Sequence, residues 1–254
     1  MNFEEDLKYI IQQFKTEGIT DLILDLRFNN GGSVELARYL AASIAGTSHR
    51  SDVFMKMQRS SGADEYIRFG DGDDLNLKSV RIICSEETAS ASELIISGLR
   101  GIDFPVKLFG SRTEGKNVGM EVQEYKYGNK YYEFAPITFR SFNAKDWGDY
   151  ADGIDPDVML NNQNSNYEDD IDNVFPYAFG DWDNFDFNYP LYWALCDVQG
   201  VDPMTGEPVK RSGRSGMTRS QPDEIIRVPS VPLKRPAGTF GSLIYNKPEV
   251  ENLY

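Results

Sequence analysis

One pattern constrains this chain more than any other feature: a short apolar run, a turn of small residues, then apolar residues at helical spacing, and the whole pattern occurs twice. Asp21-Leu-Ile-Leu-Asp-Leu-Arg27 is bounded by turn residues and predicts a buried strand. Asn29-Asn-Gly-Gly32 then turns the chain, and Ser33 is placed to cap a helix running through Ala45. Val80 to Cys84 predicts the next strand. Ser90 to Ile102 follows as a helix with Leu94, Ile95, Leu99 and Ile102 on one side, and Val106 to Gly110 as a further strand. Strands joined through helices form crossover βαβ units, so an α/β fold with a largely parallel sheet is expected. Ahead of them Phe3, Leu7, Ile10, Ile11 and Phe14 predict an amphipathic helix over residues 2–17, with Asn2 as its cap and Glu5 three residues on. Beyond them, Glu121 to Tyr127 and Lys130 to Phe139 flank Gly128-Asn129 and predict a β-hairpin.

The composition changes near residue 160. Asn161 to Asn166 is almost all polar amide, Glu168 to Asp172 is acidic, and residues 199–254 are rich in Pro, Gly and Ser with little periodicity. The expected organisation is a core over 1–160 and an irregular, acidic C-terminal extension over 161–254 that packs on or near it, with a short helix at Leu191 to Val198. Asp181-Trp-Asp-Asn-Phe-Asp186 lacks EF-hand spacing and reads as a solvated acidic loop, so no metal site is expected.

Charge and residue counts exclude several classes of function. A net charge of −14 with no Lys/Arg cluster disfavours nucleic acid as a partner. No apolar run approaches the roughly 20 residues that span a bilayer, and Met1 to Asp6 lacks the basic start and apolar stretch of a signal peptide. Cys84 and Cys196 sit far apart and build neither a disulfide framework nor a zinc site; Cys84 reads as an inert buried thiol. The chain has one histidine, His49, in the polar loop Gly46 to Asp52. A Ser/His/Asp triad needs an imidazole as proton shuttle, and a solvent-exposed loop histidine does not supply it.

Three turns remain that could carry chemistry. Asn30-Gly31-Gly32 can present consecutive N–H groups beside a helix N-terminus, which suits an oxyanion; the same glycines also serve a tight strand-to-helix turn for steric reasons alone. Thr88-Ala-Ser-Ala-Ser-Glu93 places the Ser90 hydroxyl at a helix start with the Ala91 N–H beside it, although Ser90 and Glu93 are also spaced as a capping box. Gly110-Ser-Arg-Thr-Glu-Gly-Lys-Asn117 nearly matches a phosphate-binding loop, but Asn117 replaces the magnesium-binding hydroxyl and no helical pattern follows. What survives is a lysine, Lys116, in a turn after a buried strand. All three turns leave the carboxyl ends of predicted parallel strands, where ligands of such sheets gather. Ser90 would then have Lys116 as base and the glycine turn with Ala91 as oxyanion hole.

Leu22-Ile-Leu-Asp-Leu-Arg-Phe-Asn-Asn-Gly-Gly32, Thr88-Ala-Ser-Ala-Ser-Glu-Leu94 and Gly110-Ser-Arg-Thr-Glu-Gly-Lys116 resemble, in order and spacing, the three signatures of the carboxy-terminal processing, or tail-specific, serine peptidases. Tyr150-Ala-Asp-Gly-Ile-Asp-Pro-Asp157 resembles the segment that closes their core. The resemblance covers residues 1–160, and Gly-Lys-Asn-Val-Gly119 is most similar to the Bacteroidetes branch, often envelope lipoproteins. It implies a ClpP/crotonase-like spiral of βαβ units. It also implies Ser90 as nucleophile, Lys116 as general base, and Gly31 or Gly32 with Ala91 as oxyanion hole. Glu93 would support the site, Asp103 is a candidate third residue, and no cofactor is needed. Substrates would be polypeptides, often bound by their C-termini, in the periplasm or envelope. Unlike most members the chain shows no N-terminal cap or PDZ module before the first signature, Met120 stands where some carry a glutamine, and the tail matches nothing in the family pattern.

A lysine acts as a base only when neutral, which for an ordinary amine asks for about 4 kcal/mol of selective destabilisation of the ammonium. That predicts an apolar pocket at Lys116 with no carboxylate touching its amine. Two other readings fit the same fold: a non-catalytic peptide-binding module, and a crotonase-like acyl-CoA enzyme that uses the glycine amides against a thioester.

Overall fold

The computed structural model describes residues 3–59, 62–160, 189–203 and 205–209, and the chain divides into two compact units, Met1–Asn161 and Asn162–Tyr254. In the first unit the doubled pattern becomes four parallel strands in the order β1 (Leu22–Asp25), β4 (Val80–Cys84), β5 (Val106–Gly110) and β10 (Val158–Met159). The crossover helices are α2 (Val34–Ala45), capped by the Ser33 hydroxyl on Leu36 N–H, and α3 (Ala91–Gly101). α1 (Phe3–Glu17) covers the core with Leu7, Ile11 and Phe14, and Gly18 ends it at φ 65°. Asn2, the expected cap, lies outside the described residues.

A second sheet goes beyond the sequence reading. β2 (Val53–Arg59), β3 (Glu65–Arg68), β6 (Val118–Met120) and β9 (Ile137–Phe142) form an antiparallel sheet in the order β3-β2-β9-β6. The predicted hairpin exists as β7 (Gln123–Tyr127) and β8 (Lys130–Phe134), but its second strand stops five residues short of Phe139. The cause is Pro136, which cannot donate to a ladder. Past it the chain restarts as β9 and pairs with β2 and β6 instead.

α3 is central to the core. Nearly all of its residues from Ala91 to Gly101 are buried, and it packs against α2, β2 and β5. A helix buried all round needs small residues where strands approach. At Gly98 a side-chain carbon would meet the Phe54 ring at 2.6 Å, and at Gly101 it would meet Asn143 Cβ at 2.9 Å. Cys84 is buried at the end of β4, and burial pushes its thiol up to about 12, in keeping with an inert role. In the second unit α4 (Tyr189–Gln199) extends slightly past the predicted Leu191–Val198 and buries Ala194, Leu195 and Cys196. The acidic stretches over 161–188, including Asp181 to Asp186, and the tail from 210 lie outside the described residues.

Gly110 ends β5 at φ 124°, and a side-chain carbon there would lie 2.0 Å from the Cys84 carbonyl oxygen. Gly110→Ala should therefore cost about 3 kcal/mol or more in urea unfolding, through clash and strain together. A loss under about 1 kcal/mol, the size of an ordinary substitution, would contradict so close an approach.

Candidate active site

The three turns predicted to gather do meet, and a buried carboxylate joins two of them. Glu93, in the first turn of α3, is fully buried. Its Oε2 accepts from Ser90 N–H at 2.8 Å and from Lys116 N–H at 2.9 Å. Its Oε1 accepts from Gly115 N–H at 2.8 Å and from the Thr113 hydroxyl at 2.6 Å. One carboxylate thus holds the serine turn and the lysine turn through four charge-assisted bonds. Ser90 and Glu93 form the expected capping box, in which Glu93 receives the Ser90 N–H.

Ser90 sits at φ 56°, ψ −116°, far from the extended backbone of an ordinary N-cap. Such a conformation costs about 1–3 kcal/mol and persists only where neighbours over-determine it. Here the Ala89 N–H is held by Asn29 O at 3.1 Å, and the Ser90 carbonyl receives Leu94 N–H at 2.9 Å. The result is a strained strand-to-helix elbow that leaves the hydroxyl at the positive end of α3.

The glycine turn backs directly onto this elbow. At Gly31 (φ 100°) a side-chain carbon would stand 2.8 Å from Ser90 Cβ, Ala91 N and Ala89 O, so the position is closed to any other residue. Gly31 N–H is already taken by Asn29 Oδ1 at 3.1 Å. Of the three predicted oxyanion donors, the Gly32 and Ala91 N–H groups have no acceptor among the described residues, and Gly32 is exposed.

Lys116 lies in the link from β5 to β6 and is half-buried, less enclosed than the expected apolar pocket. Among the described residues no carboxylate pairs with its amine; Glu93 touches only its main-chain N–H. The Tyr150–Asp157 segment closes over this link. Thr113 N–H donates to Ile154 O at 3.2 Å, and Ile154 N–H donates to the Thr113 hydroxyl at 2.7 Å. A side-chain carbon at Gly115 would meet Ala151 O and Gly153 N at 2.4 Å.

Asp103 is not part of this cluster. It follows the last turn of α3, an 11-residue helix whose rise of about 1.5 Å per residue carries it away from Ser90, and its exposed carboxylate pairs with Lys145. The helix axis points out of the site, so the candidate third residue stands apart from the other two. His49 is likewise remote in role, bound at Nδ1 to Asp52 at 2.7 Å in a partly exposed 3₁₀ turn. Sequence reading missed Asn29, Ser92 and Thr113. An Asn ahead of Gly-Gly signals a side-chain-closed turn, yet nothing in a turn's composition tells what else its acceptor will hold.

Residues 1–160 match the profile of peptidase family S41. The chain belongs to peptidase family S41. Among its relatives is a Staphylococcus haemolyticus protein named "Probable CtpA-like serine protease", 26% identical over 162 residues, which are 63% of this chain and 31% of the relative. A protein of the same name from Staphylococcus aureus strain COL is 26% identical over 181 residues, 70% of this chain and 35% of the relative. A crystal structure described as an S41 protease from Bacteroides fragilis superposes with a TM-score of 0.63 at 25% identity, covering 77% of this chain and 49% of that one. The S41 chain thus spans about a third of the length of these curated relatives. Its parallel α/β core is the one this family implies.

Glu93→Ala would strip the acceptor from three main-chain N–H groups and one hydroxyl, and about 3–5 kcal/mol of stability should be lost. Glu93→Gln should recover only part of it, because an amide nitrogen cannot accept. Chemical denaturation of the three chains tests this, and equal midpoints would remove Glu93 from its central place.

Proposed function

We propose that residues 1–160 are the catalytic core of a serine endopeptidase that works with a Ser90/Lys116 dyad. The reading rests on one observation: Glu93 Oε2 takes the N–H groups of Ser90 and Lys116 together, while Gly31 backs onto Ser90 Cβ. Membership of family S41 supports it.

In this mechanism the Ser90 Oγ attacks a peptide carbonyl carbon and its proton passes to the neutral Lys116 amine. The carbonyl oxygen gains negative charge and is held by the Gly32 and Ala91 N–H groups at the start of α3. Lys116 then gives the proton to the leaving amine as the C–N bond breaks, and the acyl group remains on Ser90. A water deprotonated by Lys116 releases it. Glu93 positions both partners and touches neither reacting atom. Lys116 is half-buried in the free chain, and a peptide seated over it would withdraw its amine further from water. Substrates are polypeptides engaged by their C-termini, and the setting is the periplasm or cell envelope, where a lipoprotein of this family would work.

Ser90→Ala and Lys116→Ala should each lower turnover by about a thousandfold or more, and His49→Ala should leave it unchanged. A fluorophosphonate probe should label the wild-type chain at Ser90. Turnover lost in the histidine variant, or labelling that survives Ser90→Ala, would overturn the dyad. Unlabelled protein that holds an extended peptide would favour a binding module, and coenzyme A affinity indifferent to Ser90→Ala would favour acyl-CoA chemistry.

A further inference from the structure

Asn29 joins the first turn to both sides of the Ser90 elbow with two bonds and closes its own turn with a third. Its Oδ1 accepts from Gly31 N–H at 3.1 Å and from the Ser92 hydroxyl at 2.8 Å, and its main-chain oxygen accepts from Ala89 N–H at 3.1 Å. Ser92 is buried, and a side-chain carbon at Gly31 would stand 2.8 Å from Ser90 Cβ, so the turn lies close against the elbow. A side-chain amide oxygen has two acceptor sites, and both are filled here.

We infer that Asn29 is a positioning residue that selects the oxyanion donors: by taking the Gly31 N–H and gripping Ser92, it leaves the Gly32 and Ala91 N–H groups to converge on the carbonyl that Ser90 attacks. The inference rests on the peptidase chemistry proposed for this site. Without the clasp, Gly31 N–H competes for the oxyanion and the glycine turn is free to shift against the elbow. The neutrality of Asn29 matters as much as its shape. An aspartate would accept the same two bonds, yet it would set a full negative charge beside the place where negative charge develops. A purely structural role would be satisfied by either side chain, whereas a residue that selects the donors from beside the developing oxyanion must also be neutral.

The test uses the whole 254-residue chain and a fluorophosphonate, whose phosphoryl oxygen takes the place of the developing oxyanion when Ser90 attacks. Thermal melting is followed alongside labelling kinetics. Asn29→Asp should melt like the wild type and be labelled about tenfold or more slowly, with the loss in the bond-forming rate and not in reversible binding of the probe. Asn29→Ala should be slower still, by about a hundredfold, and Ser92→Ala should fall between wild type and Asn29→Ala. Asn29→Asp labelled at the wild-type rate, or a loss confined to reversible binding, would overturn the inference and leave the dyad standing. A wild-type chain that takes no label would overturn the dyad and this inference with it.

Discussion

The arrangement depends on a buried carboxylate that does no chemistry of its own. A charge taken out of water is costly, and it is tolerated only when its lone pairs are met in good geometry. Glu93 meets that condition with three main-chain N–H groups and one hydroxyl, drawn from the α3 elbow and from the β5–β6 link. A main-chain bond from Glu114 N–H to Thr88 O at 3.0 Å ties the same two segments beside it. The burial of α3 on all sides follows from the same requirement, since a helix that carries the anion inward must bring strands close around it. Ser97, Gly98 and Gly101 make that approach sterically feasible.

Much of this was legible in the residues. Leu22–Asp25, Val80–Cys84 and Val106–Gly110 are short apolar runs between strong turn signals, and buried parallel strands look like that in any sequence. The antiparallel sheet was not legible, because Val53–Arg59 interleaves Met, Lys and Gln without a clean alternation, and its partner Ile137–Phe142 lies some eighty residues away. Pro136 did carry a readable signal, a break in the hairpin that was passed over. Within the site, Ser90 and Lys116 could be picked out because few residue types perform acyl transfer. Asn29 and Thr113 could not, since a polar residue that closes its own turn looks the same as one that grips a neighbouring segment. Asp103, a candidate through the family resemblance alone, lies at the far end of α3 from Ser90 and pairs with Lys145.

Family membership and geometry support each other at different scales. The S41 match ends at residue 160, next to the division between the two compact units at Asn161. All the residues of the candidate site fall on the first side of that boundary. Relatives about twice as long as this chain match it over about a third of their own length.

Lys116 occupies the junction between two sheets of different kind. It leaves the parallel sheet at Gly110 and enters the antiparallel one at Val118, whereas Ser90 stems wholly from the parallel side. Relative sliding of the two layers would alter the separation of Ser90 from Lys116 while leaving every strand intact. Since about 1 Å of misplacement can cost a hundredfold in rate, a modest shear would throttle the dyad proposed here, with the Glu93 clamp setting how stiff that throttle is.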